Sequence, residues 1–347
     1  MAETLTFQSV LDHLLDSKKD IPQTHLKLYS DLDPKSLRLF MDVWSSVKPA
    51  RKLLLLDGLL SQFESDNIVS YEAIGRALLN DLDGEVRARA IRLLAESQDP
   101  KLVEKLTDIL LTDFDLAPRL EAAFLIGEFI LLGELEAIKA ELQRLAEDAL
   151  IQIIRSNEDP SLRKACLEAL GYSSRPEIVN LIEAAFQRED PTWVATALLA
   201  MGRSHDERWN SDVISMLLDE EPLIQAAAAQ AAGELSIQEA GPILLKLLED
   251  EDVDDNVVTA AIWSLSQIGG EDARIYLVNL IEQTEDEDLV EYLEDALENL
   301  EFHEELNKFD LLALDLDEDD VEEIDLEEMD ELDEIWMKTK SNTYHNF

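Results

Sequence analysis

Apolar residues recur three and four positions apart over most of this chain, the spacing of one face of a helix. Seven ten-residue windows repeat the pattern: VRARAIRLLA (86–95), PRLEAAFLIG (118–127), LRKACLEALG (162–171), WVATALLAMG (193–202), IQAAAAQAAG (224–233), VVTAAIWSLS (257–266) and LVEYLEDALE (289–298). Their last residues lie 32, 44, 31, 31, 33 and 32 apart. The long interval covers GELEAIKAELQRLAEDALIQIIRS, which reads as one lengthened helix. The first column of the windows is large and apolar, as in Val86, Leu162 and Trp193. The fifth holds Ala90, Ala122, Cys166, Ala197, Ala228, Ala261 and Leu293. The ninth is Leu94, Ile126, Leu170, Met201, Ala232, Leu265 and Leu297. Steps of four put all three columns on one helix face, and a small middle residue lets a neighbouring helix come close.

An acidic turn precedes each window, for example NDLDGE, TDFDLA, REDPT and DEEPL. Asp in such a turn caps a helix N-terminus, Pro suits the first helical position, and negative charge suits the helix dipole. A second amphipathic segment follows several windows, as in PEIVNLIEAAF (176–186) and AGPILLKLL (240–248). The predicted unit is therefore a pair of antiparallel helices in about 31 residues. One such pair cannot bury its own apolar face, so the pairs must stack. The fold class is all-α, a right-handed α-α superhelix of about seven to eight helical hairpins. Residues 70–302 form the array, and residues 1–69 supply N-terminal helices and a degenerate capping repeat.

The windows with their turns resemble HEAT repeats of the short bacterial type found in phycobilisome-lyase-like proteins. NEDPSLRKACLEALGYSSRPEIVNLIEAAF is a close match, and so is LEDEDVDDNVVTAAIWSLSQIGGEDARIYLVNLI. The resemblance covers roughly residues 70–302, implies a stacked helical-repeat solenoid and says almost nothing about function. It also implies a repeat arginine, kept here at Arg87, Arg119 and Arg163 and replaced by Val194, Gln225, Val258 and Val290. An arginine ladder is thus expected only in the N-terminal half.

The pattern breaks after residue 300. Residues 301–336 contain eighteen Asp or Glu and one basic residue, Lys308. Such charge density predicts a disordered tail over 303–347. Leucines, Ile335 and Trp336 are threaded through the acid, a composition suited to folding on a partner. Leu332, Ile335 and Trp336 are the candidate contacts there. In the array, Trp263 occupies a column shared with Arg92, Phe124, Glu168, Leu199, Gln230 and Asp295, a mixture that predicts a partly exposed face. Trp263 is therefore either the fourth candidate contact or a residue packed against an adjacent repeat. Two neighbouring loops, GYSSRPE and GRSHDERW, could present Ser and Arg donors along one edge.

The 347 residues carry 77 acidic and 29 basic side chains, a formal net charge of −48. That charge repels nucleic acid and anionic membrane surfaces and favours basic protein partners. The N-terminus has no signal-peptide pattern and no apolar run reaches membrane-spanning length, so the expected location is the cytoplasm. Chemistry is sparse. The single cysteine, Cys166, sits in the small-residue column and is expected to be buried and inert. The five histidines are scattered, and none forms a metal-binding spacing. Only His303 and Glu304 make a His-Glu pair, whereas the deoxyhypusine hydroxylases, another helical-repeat family, hold iron with several. No residue cluster suits the tetrapyrrole of the bilin lyases. The stretch DLDEDD (315–320) begins like a calcium loop but lacks its sixth-position Gly and has Leu326 at the twelfth. The expected function is a non-catalytic scaffold or adaptor without a cofactor. An accessory subunit of the lyase or hydroxylase type, or an assembly factor for a basic client, are the alternatives.

Overall fold

A computed structural model describes residues 6–315 apart from 17, 19, 67 and 251, and the described residues are helical throughout, with no strand. The chain divides into two compact units between Ala169 and Leu170. The first holds α1 (Phe7–Leu15), α2 (Gln23–Leu26), α3 (Pro34–Trp44), α4 (Pro49–Ser65), α5 (Glu72–Leu78), α6 (Gly84–Arg92), α7 (Lys101–Thr112), α8 (Leu116–Glu134), α9 (Ala140–Ile154) and α10 (Pro160–Ala169). The second holds α11 (Pro176–Phe186), α12 (Pro191–Arg203), α13 (Asn210–Met216), α14 (Pro222–Glu234), α15 (Gly241–Leu247), α16 (Asp255–Ile268), α17 (Glu271–Gln283) and α18 (Glu287–Asp315).

From α5 onward successive helices pair, α5 with α6 through α17 with α18, giving seven packed hairpins among the described residues. The acidic turns start the second helix of each pair. Asp83, Asp190 and Asp254 accept backbone N–H groups as N-caps, and Asp159 accepts from the Ser161 N–H. Pro191 and Pro222 stand in the first turns of α12 and α14. Ahead of α5, α3 and α4 follow one another with little mutual contact, and α4 packs on α2 and α6. Phe7, Tyr29, Phe40 and Trp44 form a chain of ring contacts here, with centroids 5.7, 5.9 and 5.0 Å apart, closing the N-terminal end of the first unit.

Within each unit the second helices pack against one another. Within the first unit α8 packs on both α6 and α10, and within the second α14 packs on both α12 and α16. The fifth column lies at this seam, and all seven of its residues are fully buried. A further regularity sits beside it. The tenth-column glycine of one window lies on the eighth-column residue of the next. A Cβ on Gly202 would fall 2.9 Å from Ala231 Cα, and one on Gly233 would fall 2.8 Å from Ser264 Cα. Contacts that short are closed to any side chain, so glycine there sets how near the helix axes can come.

Three sequence expectations need correction. The long interval is not one helix: α8 ends at Glu134 and α9 begins at Ala140. Glu136 takes φ +60°, and the Ala137 N–H donates to the Leu132 carbonyl, a left-handed termination that stops α8. In α18 the buried positions among the described side chains are Leu293, Ala296, Asn299 and Leu300, while Leu289 and Leu297 are half-exposed, so the face is rotated from the window columns. This last helix covers α16 and α17 and has no further repeat against it among the described residues. Finally, α18 runs to Asp315, so residues 303–315 are helical rather than disordered. Arg274 holds that extension by donating to Glu301 at 2.7 Å and Glu304 at 2.6 Å.

Candidate protein-interaction surface

The charged side chains that the repeat requires are occupied between repeats. Lys52 reaches Asp81 at 3.0 Å, Arg87 reaches Asp113 at 2.6 Å, and Arg119 reaches Glu158 at 3.0 Å. Lys52 comes from α4, Arg87 and Arg119 from the second helices of their hairpins, and each carboxylate from the turn of the following hairpin. The Arg87 pair is bidentate, 2.7 and 2.6 Å to the two Asp113 oxygens, with a further bond of 2.9 Å to Asp115. Burial drives the Asp113 carboxyl pKa up, but the Arg87 hydrogen bonds, the Asp115 N–H and the nearby cations outweigh it and hold it below the usual carboxylate range. Asp113 in turn is the leading cause that raises Arg87.

The repeat arginine has a second task. Arg87 donates to the Asp81 carbonyl, Arg119 to Leu110 and Arg163 to Ile154, each a carbonyl at or just beyond the end of the preceding helix. Gln225 does the same to Leu217 at 2.9 Å. A neutral amide thus keeps the carbonyl bond without the ion pair.

Cys166 is fully buried and unbridged. Burial pushes its thiol far above the usual value, and the Arg119 charge nearby does not offset this. A thiol that stays protonated is a poor nucleophile. The His-Glu pair at 303–304 is also committed, because Glu304 accepts from Arg274. Among the described residues no group of three or more His, Cys, Asp or Glu side chains is placed to hold a metal ion, and no helix is long and apolar enough to cross a membrane.

The two donor loops are satisfied internally. Arg175 donates to Glu177, Arg208 donates to Asp206, and the Arg203 guanidinium lies over the Tyr172 ring at 5.3 Å. Trp263, expected on a partly exposed face, is only 7% exposed. Tyr292 of α18 covers it, with ring centroids 6.4 Å apart, and the Tyr292 hydroxyl is fixed by donating to the Thr259 carbonyl at 2.9 Å. The column reads as exposed in the sequence because earlier repeats carry no equivalent of Tyr292. The indole Nε1–H is buried without a hydrogen-bond partner. Leu332, Ile335 and Trp336 lie outside the described residues.

What the surface offers to a partner is negative charge. If every Lys and Arg in the chain paired with one carboxylate, 48 carboxylates would remain. The geometry so far defines an all-α helical-repeat protein, with paired helices stacked on a small-residue seam. A family model described as HEAT repeats matches residues 147–218 and 210–298, so that stretch of the chain carries HEAT repeats. The description carries no phycobilisome-lyase type. A HEAT repeat-containing taxis protein of Halobacterium salinarum is 24% identical over 152 residues, covering 40% of this chain and 36% of that protein. The chain therefore matches about a third of that relative's length. Among solved structures, Kap121p bound to Pho4p aligns over 86% of this chain and 38% of its own, at 15% identity and a TM-score of 0.43. Human deoxyhypusine hydroxylase in complex with glycerol aligns over 76% of this chain and 95% of its own, at 15% identity and a TM-score of 0.32. The fold class rests on the helix pairs and the family match rather than on these structures.

Proposed function

We propose that this protein is a non-catalytic scaffold or adaptor of the cytoplasm whose partner is a basic protein. The observation that carries this reading is how the ionisable groups are spent. Arg87 and Arg119 bind one repeat to the next, Arg175 and Arg208 pair within their own loops, the one thiol is buried, and the carboxylate excess is left for a partner. Like charge steers nucleic acid away and steers cationic proteins in, and the effect weakens as salt screens it. The acidic segment beyond Asp315 is a second contact in this reading, with Leu332, Ile335 and Trp336 as its apolar anchors.

The test is affinity purification from the native host with the full chain and with residues 316–347 deleted, each washed at low and at high salt. Basic proteins that are retained at low salt and released at high salt are the expected result. Partners lost on deletion belong to the acidic segment. A partner list that is not basic and does not respond to salt would refute the electrostatic reading. An identical list for both chains would refute the role of the segment.

A further inference from the structure

Two successive turns of the first unit place a large apolar side chain wholly in water at the same position of the repeat. In NDLDGE (80–85) it is Leu82 and in TDFDLA (112–117) it is Phe114, with relative exposures of 100% and 103%. The equivalent places in later turns hold Glu158, Glu189, Glu220, Val253 and Glu285, so acid is usual there and the repeat itself does not call for Leu or Phe. A single exposed apolar residue means little, but Leu82 lines a groove and Phe114 directly precedes another of its lining residues, Asp115.

The groove lies between the two turns and has a volume of about 640 Å³. Leu82, Leu116 and Leu120 supply its apolar lining, and Asp83, Glu85 and Asp115 supply carboxylates. Two of these carboxylates have cation partners, yet the cations sit behind them. Glu85 and Asp115 are each 57% exposed, whereas their partners Arg89 and Arg87 are 22% and 12% exposed. The face shown to solvent is therefore apolar with a negative rim. An open rim of this kind suits a polypeptide side chain better than an enclosed metabolite, because small-molecule sites bury most of their ligand.

We infer that this groove seats a cationic segment of another protein, inserting apolar side chains beside Leu82, Phe114 and Leu116 while its Lys or Arg residues meet Asp83, Glu85 and Asp115. The charge decides among occupants. A second copy of a chain with net charge −48, or its own acidic segment beyond Asp315, would bring carboxylates to carboxylates. This assignment rests on the basic-partner reading above, and adds to it the site and the apolar requirement.

The test uses the full chain and a synthetic helical peptide with Leu at i, i+3, i+4 and i+7 and Lys elsewhere; a polylysine of equal length is its control. Binding is read by fluorescence anisotropy on wild type, on the Leu82→Ser/Phe114→Ser double variant, and on the chain lacking residues 316–347. Both substituted side chains are fully exposed, so the helical signal and thermal melt should be unchanged. The Lys/Leu peptide should bind wild type more tightly than polylysine, and the double variant should erase that preference, a loss of about tenfold. The preference should persist without residues 316–347. Equal affinity of the double variant and wild type for the Lys/Leu peptide would overturn the groove. If binding fails only when 316–347 is removed, the groove falls and the basic-partner reading stands. If no cationic peptide binds any form, both fall. A concentration-dependent doubling of mass in sedimentation, abolished by the double variant, would make a second copy the occupant and also overturn the assignment.

Discussion

Replacing Arg87 by Leu tests whether the ion pairs between hairpins are structural. The guanidinium is 12% exposed and the Asp113 carboxylate 8%, so both groups lie near the buried limit. Removing one partner of a buried pair leaves an uncompensated charge and typically costs about 3–5 kcal/mol; the residual exposure puts this site near the lower figure, about 3 kcal/mol. The carbonyl of Asp81 loses its donor as well, which adds to the loss. By contrast Arg92 and Glu64, 3.3 Å apart and 48% and 40% exposed, form a surface pair, and Arg92→Leu should cost less than about 1 kcal/mol. Urea unfolding followed by circular dichroism reads both. The pH dependence has a definite sign. In wild type the folded Asp113 pKa is depressed, so its contribution is complete above the unfolded value of about 3.9 and is lost as pH falls through the lower folded value. In Arg87→Leu the same carboxyl loses the hydrogen bonds and charge of its main cation, so its pKa lies above that of the wild type and the stability it contributes at neutral pH is reduced. The difference between the two proteins should therefore be greatest at neutral pH and shrink on acidification. Adding Asp113→Asn to the variant removes the stranded charge and should recover at least about 1 kcal/mol. A loss below about 1 kcal/mol for Arg87→Leu, or no recovery in the double variant, would refute the pair as a structural clamp.

Cys166→Ala should lower stability by only about 1 kcal/mol and leave binding intact, since five of the six sister positions are alanine. In the native chain the thiol should resist alkylation and react only on unfolding, which a timed thiol-reagent assay measures; fast native labelling would contradict its burial. Trp263→Ala should cost about 3 kcal/mol or more in a thermal or urea melt, because it empties the space under Tyr292. A normal melt accompanied by lost partner binding would instead restore Trp263 as a contact residue.

The period of the repeat, the buried fifth column and the acidic helix starts were all legible from spacing alone. They depend on contacts within a helix or between identical positions of adjacent repeats. What stayed illegible depends on positions that differ between repeats. Trp263 is buried by Tyr292, a residue of the final helix that earlier hairpins lack. The break after Glu134 turns on one residue in the left-handed region, Glu136, where the chemistry of the residue carries no glycine signal. The groove beside Leu82 and Phe114 was in principle visible as two apolar residues among acidic turns, but only once the windows were aligned one turn further upstream.

The same alignment shows why the arginine column could fade without loss of the array. In the first unit the eighth window position holds Leu93, Leu125 and Ala169, large in two of three windows, and the seams are braced by Lys52–Asp81, Arg87–Asp113 and Arg119–Glu158. In the second unit the eighth position is Ala200, Ala231 and Ser264, and the arginine has become Val194, Gln225 and Val258. There, glycines at 202 and 233 press on Ala231 and Ser264, and α12, α14 and α16 make the most extensive helix contacts in the chain. Close approach of small residues increases dispersion and buried apolar area, which salt does not weaken, whereas a pair with an exposed partner, such as Arg119 with Glu158 at 38% exposure, loses strength as ionic strength rises. The chain therefore holds its repeats together by two different means. High salt should loosen the α8–α10 seam, which Arg119–Glu158 braces, so hydrogen exchange there should rise with salt while exchange at the α14–α16 seam stays level.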